Sequence, residues 1–208
     1  SKWQGKYMGT LGDIGSLSFS MPKIITTGQG GALLTDDDIL IAKIRKIKDF
    51  GRVKSGVDIY ESLGFNFKFT DIQAVIGIEQ MKKLESRVDR KKEIYHLYEK
   101  ELSGIKGIRF IKTDLSQVTP WFVDVLADNR EKLIDFLKRS GIGSRPFYPP
   151  VNTQAPYKQM DGYRDIYFPL SKKLSSLCLW LPSSLFLTNQ QIKFITDKIK
   201  VFYKNSTR

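Results

Sequence analysis

The chain has 208 residues, enough for one large domain or two small ones. Its 41% apolar and 12% aromatic content suits a packed core and excludes a disordered chain, and no apolar run approaches the roughly 18 residues of a membrane span. A net charge of +12 suits an anionic partner; the lysines are dispersed (Lys43, Lys46, Lys48, Lys82, Lys83) without RNP-like interleaved aromatics, so no nucleic acid and no membrane partner is expected.

Residues 1–11 read as a loop. Leu17 and Phe19 then alternate with Ser18 and Ser20, the pattern of a short strand. Pro22 breaks any ladder, and Lys23 stands just beyond it. Thr26-Thr27-Gly28-Gln29-Gly30-Gly31 reads as a tight turn with exposed amides and hydroxyls, after which Ala32, Leu33 and Leu34 resume a strand. One lysine is thus held between two apolar strands, a setting in which an amine can be desolvated and used as a nucleophile. The plain alternative is a solvated hairpin lysine. A Rossmann dinucleotide turn is disfavoured, because this glycine run is not G-x-G-x-x-G and opens no helix.

Asp36-Asp37-Asp38 predicts the cap of a helix from Ile39 to about Phe50, ended by Gly51. Residues 51–69 read as an irregular connection closing in Gly64-Phe65-Asn66-Phe67-Lys68-Phe69, an edge strand with one polar face. Thr70-Asp71-Ile72-Gln73 is a capping box. It opens one long helix over about 70–102, with Ile72, Ile76, Leu84, Val88, Tyr95, Tyr98 and Leu102 on one face. Gly77, inside that helix, would permit close helix packing, as at a subunit contact, and Arg87, Arg90, Lys91 and Lys92 read as a solvated face. The lone histidine, His96, leaves no zinc site of the usual Cys/His kind, and no metal is expected.

Ser103-Gly104 and Lys106-Gly107 predict the helix end and a domain boundary, giving units 1–103 and 104–208. Strands follow at 108–111 and 121–126. Asp128-Asn129-Arg130-Glu131 offers a second capping box for a helix that buries Leu133, Ile134 and Leu137. Arg145-Pro146-Phe147-Tyr148-Pro149-Pro150 is stiff and extended, and residues 151–168 read as loop. A strand at 177–181 holds the only cysteine, Cys178, as a buried thiol. A lone cysteine excludes an internal disulfide framework; with no signal-peptide pattern at the start, a cytoplasmic location is expected. Thr188 caps a last helix that turns Ile192, Ile195, Ile199 and Phe202 inward. Strands and helices alternate, so this half is a small α/β or α+β domain.

Ser18-Phe19, Lys23 and the Thr26–Gly31 turn resemble the lysine motif of the DegT/StrS-type pyridoxal-phosphate sugar aminotransferases, with Gln29 where the family usually has glutamate. Gly64–Thr70 resembles the family's Gly-Tyr-Asn-Tyr-Arg-Met-Thr motif, with Lys68 for arginine. Residues 141–150 look like the segment leading into its substrate loop, and the perosamine-synthase-like branch is closest; Asn152 stands where many relatives have histidine. The resemblance implies an α/β chain forming the C-terminal part of a fold-type I transferase: the end of the large-domain sheet, a long linking helix and a small C-terminal domain. It implies that Lys23 holds pyridoxal 5'-phosphate as a Schiff base, that Ser18 binds its phosphate, and that Asn66 reaches the partner's phosphate in a homodimer. Lys68, Arg145 and Tyr148 fall in substrate-binding positions. It further implies transfer of an amino group, usually from glutamate, to a nucleotide-linked keto sugar, for amino-sugar and surface-polysaccharide biosynthesis. A dehydratase relative is disfavoured, because that branch has histidine where Lys23 stands. Complete members carry a long N-terminal portion with the ring stacker and the acidic partner of the pyridine nitrogen. The strands around Lys23 are expected to need such neighbours, as strands inside a parallel sheet do. The competing expectation is a non-catalytic dimerising or binding remnant with a basic surface.

Overall fold

The computed structural model describes residues 1–158, 160 and 168–206; the remainder of the expected loop 151–168 lies outside the described residues. Two compact units form, Ser1–Val88 with Ser116–Val118, and Asp89–Leu115 with the chain from Thr119 onward. The seam falls at 88/89, not at the glycines of 104–107, because Ile94, Tyr95, Tyr98 and Leu102 of the linking helix belong to the core of the second unit.

The first unit opens with β1 (Lys2–Trp3) and β2 (Lys6–Tyr7), a small hairpin where a loop was expected. Strand β3 (Gly15–Ser18) pairs antiparallel with β4 (Gly31–Leu34), Leu17 opposite Ala32. The glycine turn folds one strand back on the other. Helix α1 (Asp38–Lys48) is capped by the Asp37 carboxylate, which accepts the Ile39 amide at 2.7 Å and the Leu40 amide at 3.1 Å. Phe50 and Gly51 both take positive φ, and the Gly51 amide returns to the Lys46 carbonyl at 2.9 Å, closing the helix end. A Cβ on Gly51 would lie 1.9 Å from the Ser62 carbonyl oxygen, so the connection after the helix runs against a bare backbone. No edge strand forms over 64–69; the segment is held by an isolated bridge of Asn66 with Asp49 and by the Phe65 and Phe67 amides on the Ile47 and Lys48 carbonyls at 2.7 and 3.0 Å.

The capping box at Thr70 forms, with reciprocal bonds between Thr70 and Gln73. The single helix predicted for 70–102 is instead two, α2 (Asp71–Met81) and α3 (Leu84–Leu102). The Lys82 amide still reaches the Ile78 carbonyl at 3.3 Å, but at Lys83 the bonding tightens to the third residue back, its amide reaching the Gln80 carbonyl at 3.1 Å, and this interrupts the α ladder. The expected common apolar face divides accordingly: Tyr95, Tyr98 and Leu102 are buried, whereas Ile72 and Ile76 of α2 are exposed.

The second unit carries a four-stranded antiparallel sheet in the order β5 (Ile108–Phe110), β6 (Val123–Ala127), β8 (Cys178–Leu181), β7 (Arg145–Pro146). Val123, Val125 and Ala127 alternate inward with Leu179 and Leu181, against Leu133 and Leu137 of α4 (Arg130–Arg139) and Ile192, Ile195 and Ile199 of α7 (Asn189–Ser206). The last cap forms as expected, Thr188 and Gln191 exchanging bonds at 2.9 and 3.2 Å. The box at Asp128–Glu131 does not: Asn129 sits at φ 55 with no side-chain cap bond, a left-handed conformation that asparagine tolerates. The loop expected before β8 contains a 3-10 turn (Val151–Thr153) and α5 (Ala155–Lys158), and α6 (Pro169–Leu177) follows, begun by a proline whose missing N–H costs nothing at a helix start.

The basic residues of α3 are not a solvated face. Lys91 is 9% exposed and donates to the Trp121 carbonyl at 2.9 Å and the Ser183 carbonyl at 2.6 Å. Arg90 donates to the Leu187 carbonyl and, at 2.9 Å, to Asn189 Oδ1. Burial pushes the Lys91 pKa down, since no carboxylate offsets its lost hydration.

Candidate active site

The site of interest is the loop between β3 and β4. Backbone bonds pinch its neck: the Phe19 amide donates to Gly30 O at 2.8 Å, and the Thr27 amide to Phe19 O at 3.0 Å. Thr26 Oγ1 donates to the same Phe19 carbonyl at 3.0 Å and accepts the Gly28 amide at 3.0 Å. Thr27 is 6% exposed, and its Oγ1 bonds the Gln29 carbonyl at 2.7 Å. Gly30, at φ 138, lies where a Cβ would meet Phe69 Cε2 at 2.7 Å, so this position tolerates only glycine. Phe69 in turn meets Phe19 edge-on, with centroids 6.3 Å apart. An apolar cleft of 410 Å³ opens beside the loop, lined by Phe19, Ile25, Phe69, Gly77, Ile78 and Met81.

Lys23 sits on this loop, half-buried, its amide bonded to the Ser20 carbonyl at 3.1 Å. Ser18 Oγ donates to Ser20 Oγ at 3.0 Å and accepts the Ser20 amide at 3.3 Å. Ser18 ends β3 and Lys23 lies in the loop that follows it. Asn66 and Lys68 belong to the same unit. Asn66 is exposed, its backbone bridged to Asp49. Lys68 Nζ lies 2.7 Å from Asp49 Oδ1, and Arg52 approaches the same oxygen at 3.5 Å. The Lys68 hydrogen bond holds the Asp49 carboxyl below the usual carboxylate range. Lys68 therefore already has a carboxylate partner, which its position in the sequence did not signal.

Arg145 and Tyr148 belong to the second unit and form their own cluster. Arg145 lies opposite Trp180 across the β7–β8 pair, and its guanidinium is 5.2 Å from the Tyr148 ring and 5.3 Å from the Trp180 ring. Trp180 is 5% exposed and stacks on Phe122 at 4.3 Å. Trp180 escaped the sequence reading because its apolar run looked like core. The cross-strand register turns it to the opposite sheet face from Leu179 and Leu181, beneath the arginine. Asp124 is its cross-strand partner, its pKa raised by burial. Asn152 is buried.

Pyridoxal phosphate needs an amine for its aldehyde carbon and hydrogen-bond donors for its phosphate. The pinched loop offers Lys23 for the first and the paired Ser18 and Ser20 hydroxyls, beside glycine-permitted turns, for the second; these residues fit those two ends of the cofactor.

The described architecture has close counterparts. GDP-perosamine synthase of Escherichia coli O157:H7 is 33% identical over 208 residues, covering 99% of this chain and 56% of that protein. The GDP-perosamine synthase of Vibrio cholerae is 30% identical over 204 residues, covering 96% of this chain and 55% of that protein. The structure of Spr1654 of Streptococcus pneumoniae in its PLP form superposes with a TM-score of 0.88 at 21% identity, over 98% of this chain and 55% of that one. The chain spans about half the length of the curated relatives it matches. The DegT/DnrJ/EryC1/StrS aminotransferase family model matches residues 1–200, and the chain belongs to that family.

Proposed function

We propose that the chain is the C-terminal part of a pyridoxal-phosphate-dependent aminotransferase acting on a nucleotide-linked keto sugar. The observation that carries this reading is the pinched loop that carries half-buried Lys23, its backbone amide bonded to Ser20 of the Ser18–Ser20 hydroxyl pair. The naming of two relatives as GDP-perosamine synthases supports the nucleotide-sugar class.

Pyridoxal phosphate, when bound, supplies an electron sink for the carbon that loses or gains a proton. The chain's own residues would do the rest. Lys23 Nζ anchors the cofactor and moves the proton at the carbon that receives nitrogen. Ser18 Oγ binds the phosphate in the same subunit. Asn66 binds it in the partner of a homodimer, a role its exposure on a stacked aromatic strip (Phe65 on Phe67, 5.0 Å) permits. Lys68, Arg145 and Tyr148 are the residues assigned to binding the nucleotide sugar; Lys68 must then exchange Asp49 for substrate phosphate. Glutamate is the amino donor and the cytoplasm the setting.

In the intact protein, pyridoxal phosphate should give a visible absorbance band that Lys23→Ala abolishes, and borohydride should fix the cofactor to the peptide bearing Lys23. An unchanged borohydride adduct in Lys23→Ala overturns the assignment. Mixing Lys23→Ala and Asn66→Ala chains tests the shared site: heterodimers should recover about half the activity per exchanged dimer, because both defects then fall in one site. No recovery under proven subunit exchange removes Asn66 from the partner's site.

A further inference from the structure

The lysine loop is held from outside by residues for which the proposed chemistry has no role. Arg87, in the first turn of α3, donates through Nη1 to the carbonyl of Ile24, the residue after the lysine, at 2.9 Å. The same nitrogen donates to Gln80 Oε1 of α2. That oxygen also accepts the Thr26 amide at 3.4 Å. One guanidinium nitrogen and one amide oxygen therefore grip the backbone on both sides of Ile25, immediately beyond Lys23. Further along the loop Gln73 Nε2 donates to the Gln29 carbonyl at 2.8 Å. The helix can come this close because Gly77 has no side chain: a Cβ there would stand 3.2 Å from Thr27 Cγ2.

The break at Lys82–Lys83 lies between the two gripping residues. Gln80 is in the last turn of α2 and Arg87 at the start of α3, so their contact spans the irregular joint. Both contacts of Arg87 are part-buried and charge-assisted, the kind of hydrogen bond that fixes geometry most firmly.

The geometry points to Arg87, acting through Gln80, as a positioning residue for Lys23. Its contacts are to the loop backbone and to Gln80; it fixes the backbone that carries the lysine, so that the amine is presented in one place rather than many. This deepens the reading of Lys23 given above and rests on it for its catalytic consequence. Its structural content, an immobilised segment 23–27, stands apart from that reading.

The test is hydrogen exchange by mass spectrometry on peptides spanning 19–30 of the intact protein without cofactor, alongside steady-state kinetics with cofactor. Arg87→Ala and Gln80→Leu should each speed exchange at the Thr26 and Thr27 amides by about tenfold or more while peptides of the second unit stay unchanged. The same variants should lower kcat by about 10- to 100-fold, the cost of a misplaced reacting group, with KM for the amino donor within about twofold. Gln80→Glu keeps an acceptor oxygen for both donors and should retain wild-type exchange and kcat. If exchange at Thr26 and Thr27 is unchanged in both Arg87→Ala and Gln80→Leu, the clamp is overturned, whatever the activity. If exchange rises but kcat does not fall, the residues are structural only and the positioning role is overturned. Failure of the Lys23 reading is separately visible, as a borohydride adduct that survives Lys23→Ala.

Discussion

The two units of this chain are built on opposite terms. In the second, every residue of the core cluster is found: Tyr98, Val125, Leu133, Leu179 and Ile199 are fully buried, and four strands are covered on the inner face by α3, α4 and α7. In the first, no apolar side chain among the described residues is buried, while Leu63 is 93%, Ile39 79% and Ile72 76% exposed. The first unit is nonetheless rich in specific polar geometry: the pinched lysine loop, the Arg87–Gln80 grip, the Asp49 ion pairs. Polar bonds decide which arrangement is adopted, but they contribute little net stability apiece, about 1 kcal/mol, whereas apolar burial supplies the bulk. The first unit has the specificity without the burial; the second has both.

The strongest way to break this comparison is to separate the units. Residues 89–208 alone should fold cooperatively, with a single thermal transition by circular dichroism. Residues 1–88 alone should show none, and a cooperative transition there would mean its polar framework suffices. For the same reason the 208-residue chain by itself should show little transaminase turnover in a single-turnover assay with pyridoxal phosphate, glutamate and a nucleotide keto sugar.

Point substitutions give the next effect. Leu133→Ala should destabilise the second unit by about 2–5 kcal/mol in denaturant unfolding, since it empties a fully enclosed site. Ile72→Ala, on an exposed helix face, should stay within about 0.5 kcal/mol. Equal losses would contradict the contrast.

Lys91 sharpens the picture from inside the second unit. Lys91→Ala strands one buried and one part-buried carbonyl acceptor and should cost about 1–3 kcal/mol. Because burial lowers the folded-state pKa of Lys91, the unfolded chain binds the proton more tightly. The penalty for the buried charge is complete below the folded pKa and is relieved as pH rises from there toward the ordinary lysine value of 10.5. Urea unfolding of wild type and Lys91→Met across pH 7 to 10.5 should show wild type gaining relative to the variant as pH rises; a constant difference would show that Lys91 is not desolvated.

The smallest effect is expected in the first unit. Asp49→Asn removes the carboxylate partner of Lys68 and one of the two of Arg52, which keeps Asp58, without uncovering apolar surface. The unfolding midpoint of the whole chain should not move, while tryptic cleavage after Arg52 and Lys54 should quicken. Unaltered cleavage would show that the ion pairs do not hold the 49–68 segment.

What could be read in advance follows the range of the interactions. Asp37, Thr70 and Thr188 were readable as caps because a cap joins residues two or three apart. So was the Lys23 turn, whose glycines and threonines close it locally. The same local rule misled at Asn129, where a left-handed backbone took the place of a side-chain cap. The break at Lys82–Lys83 left no proline or glycine to mark it, and Arg87 bonds Ile24 from 63 residues away. Lys91 looked solvated because its two carbonyl partners lie 30 and 92 residues off. The pairing of Arg145 with Trp180 needs the strand register, which no window of sequence contains.

The lone cysteine has a practical use that follows from its place on β8. Cys178 is 5% exposed, and burial pushes its thiol up to about 11, so at neutral pH it is both hidden and protonated. It pairs with Leu126 across the β6–β8 ladder, in the middle of the sheet. A thiol-specific label can therefore reach it only when those strands part, and the rate of labelling becomes a clock for opening of the second unit. The protein carries its own single-site reporter, with no competing thiol in the sequence to obscure the signal.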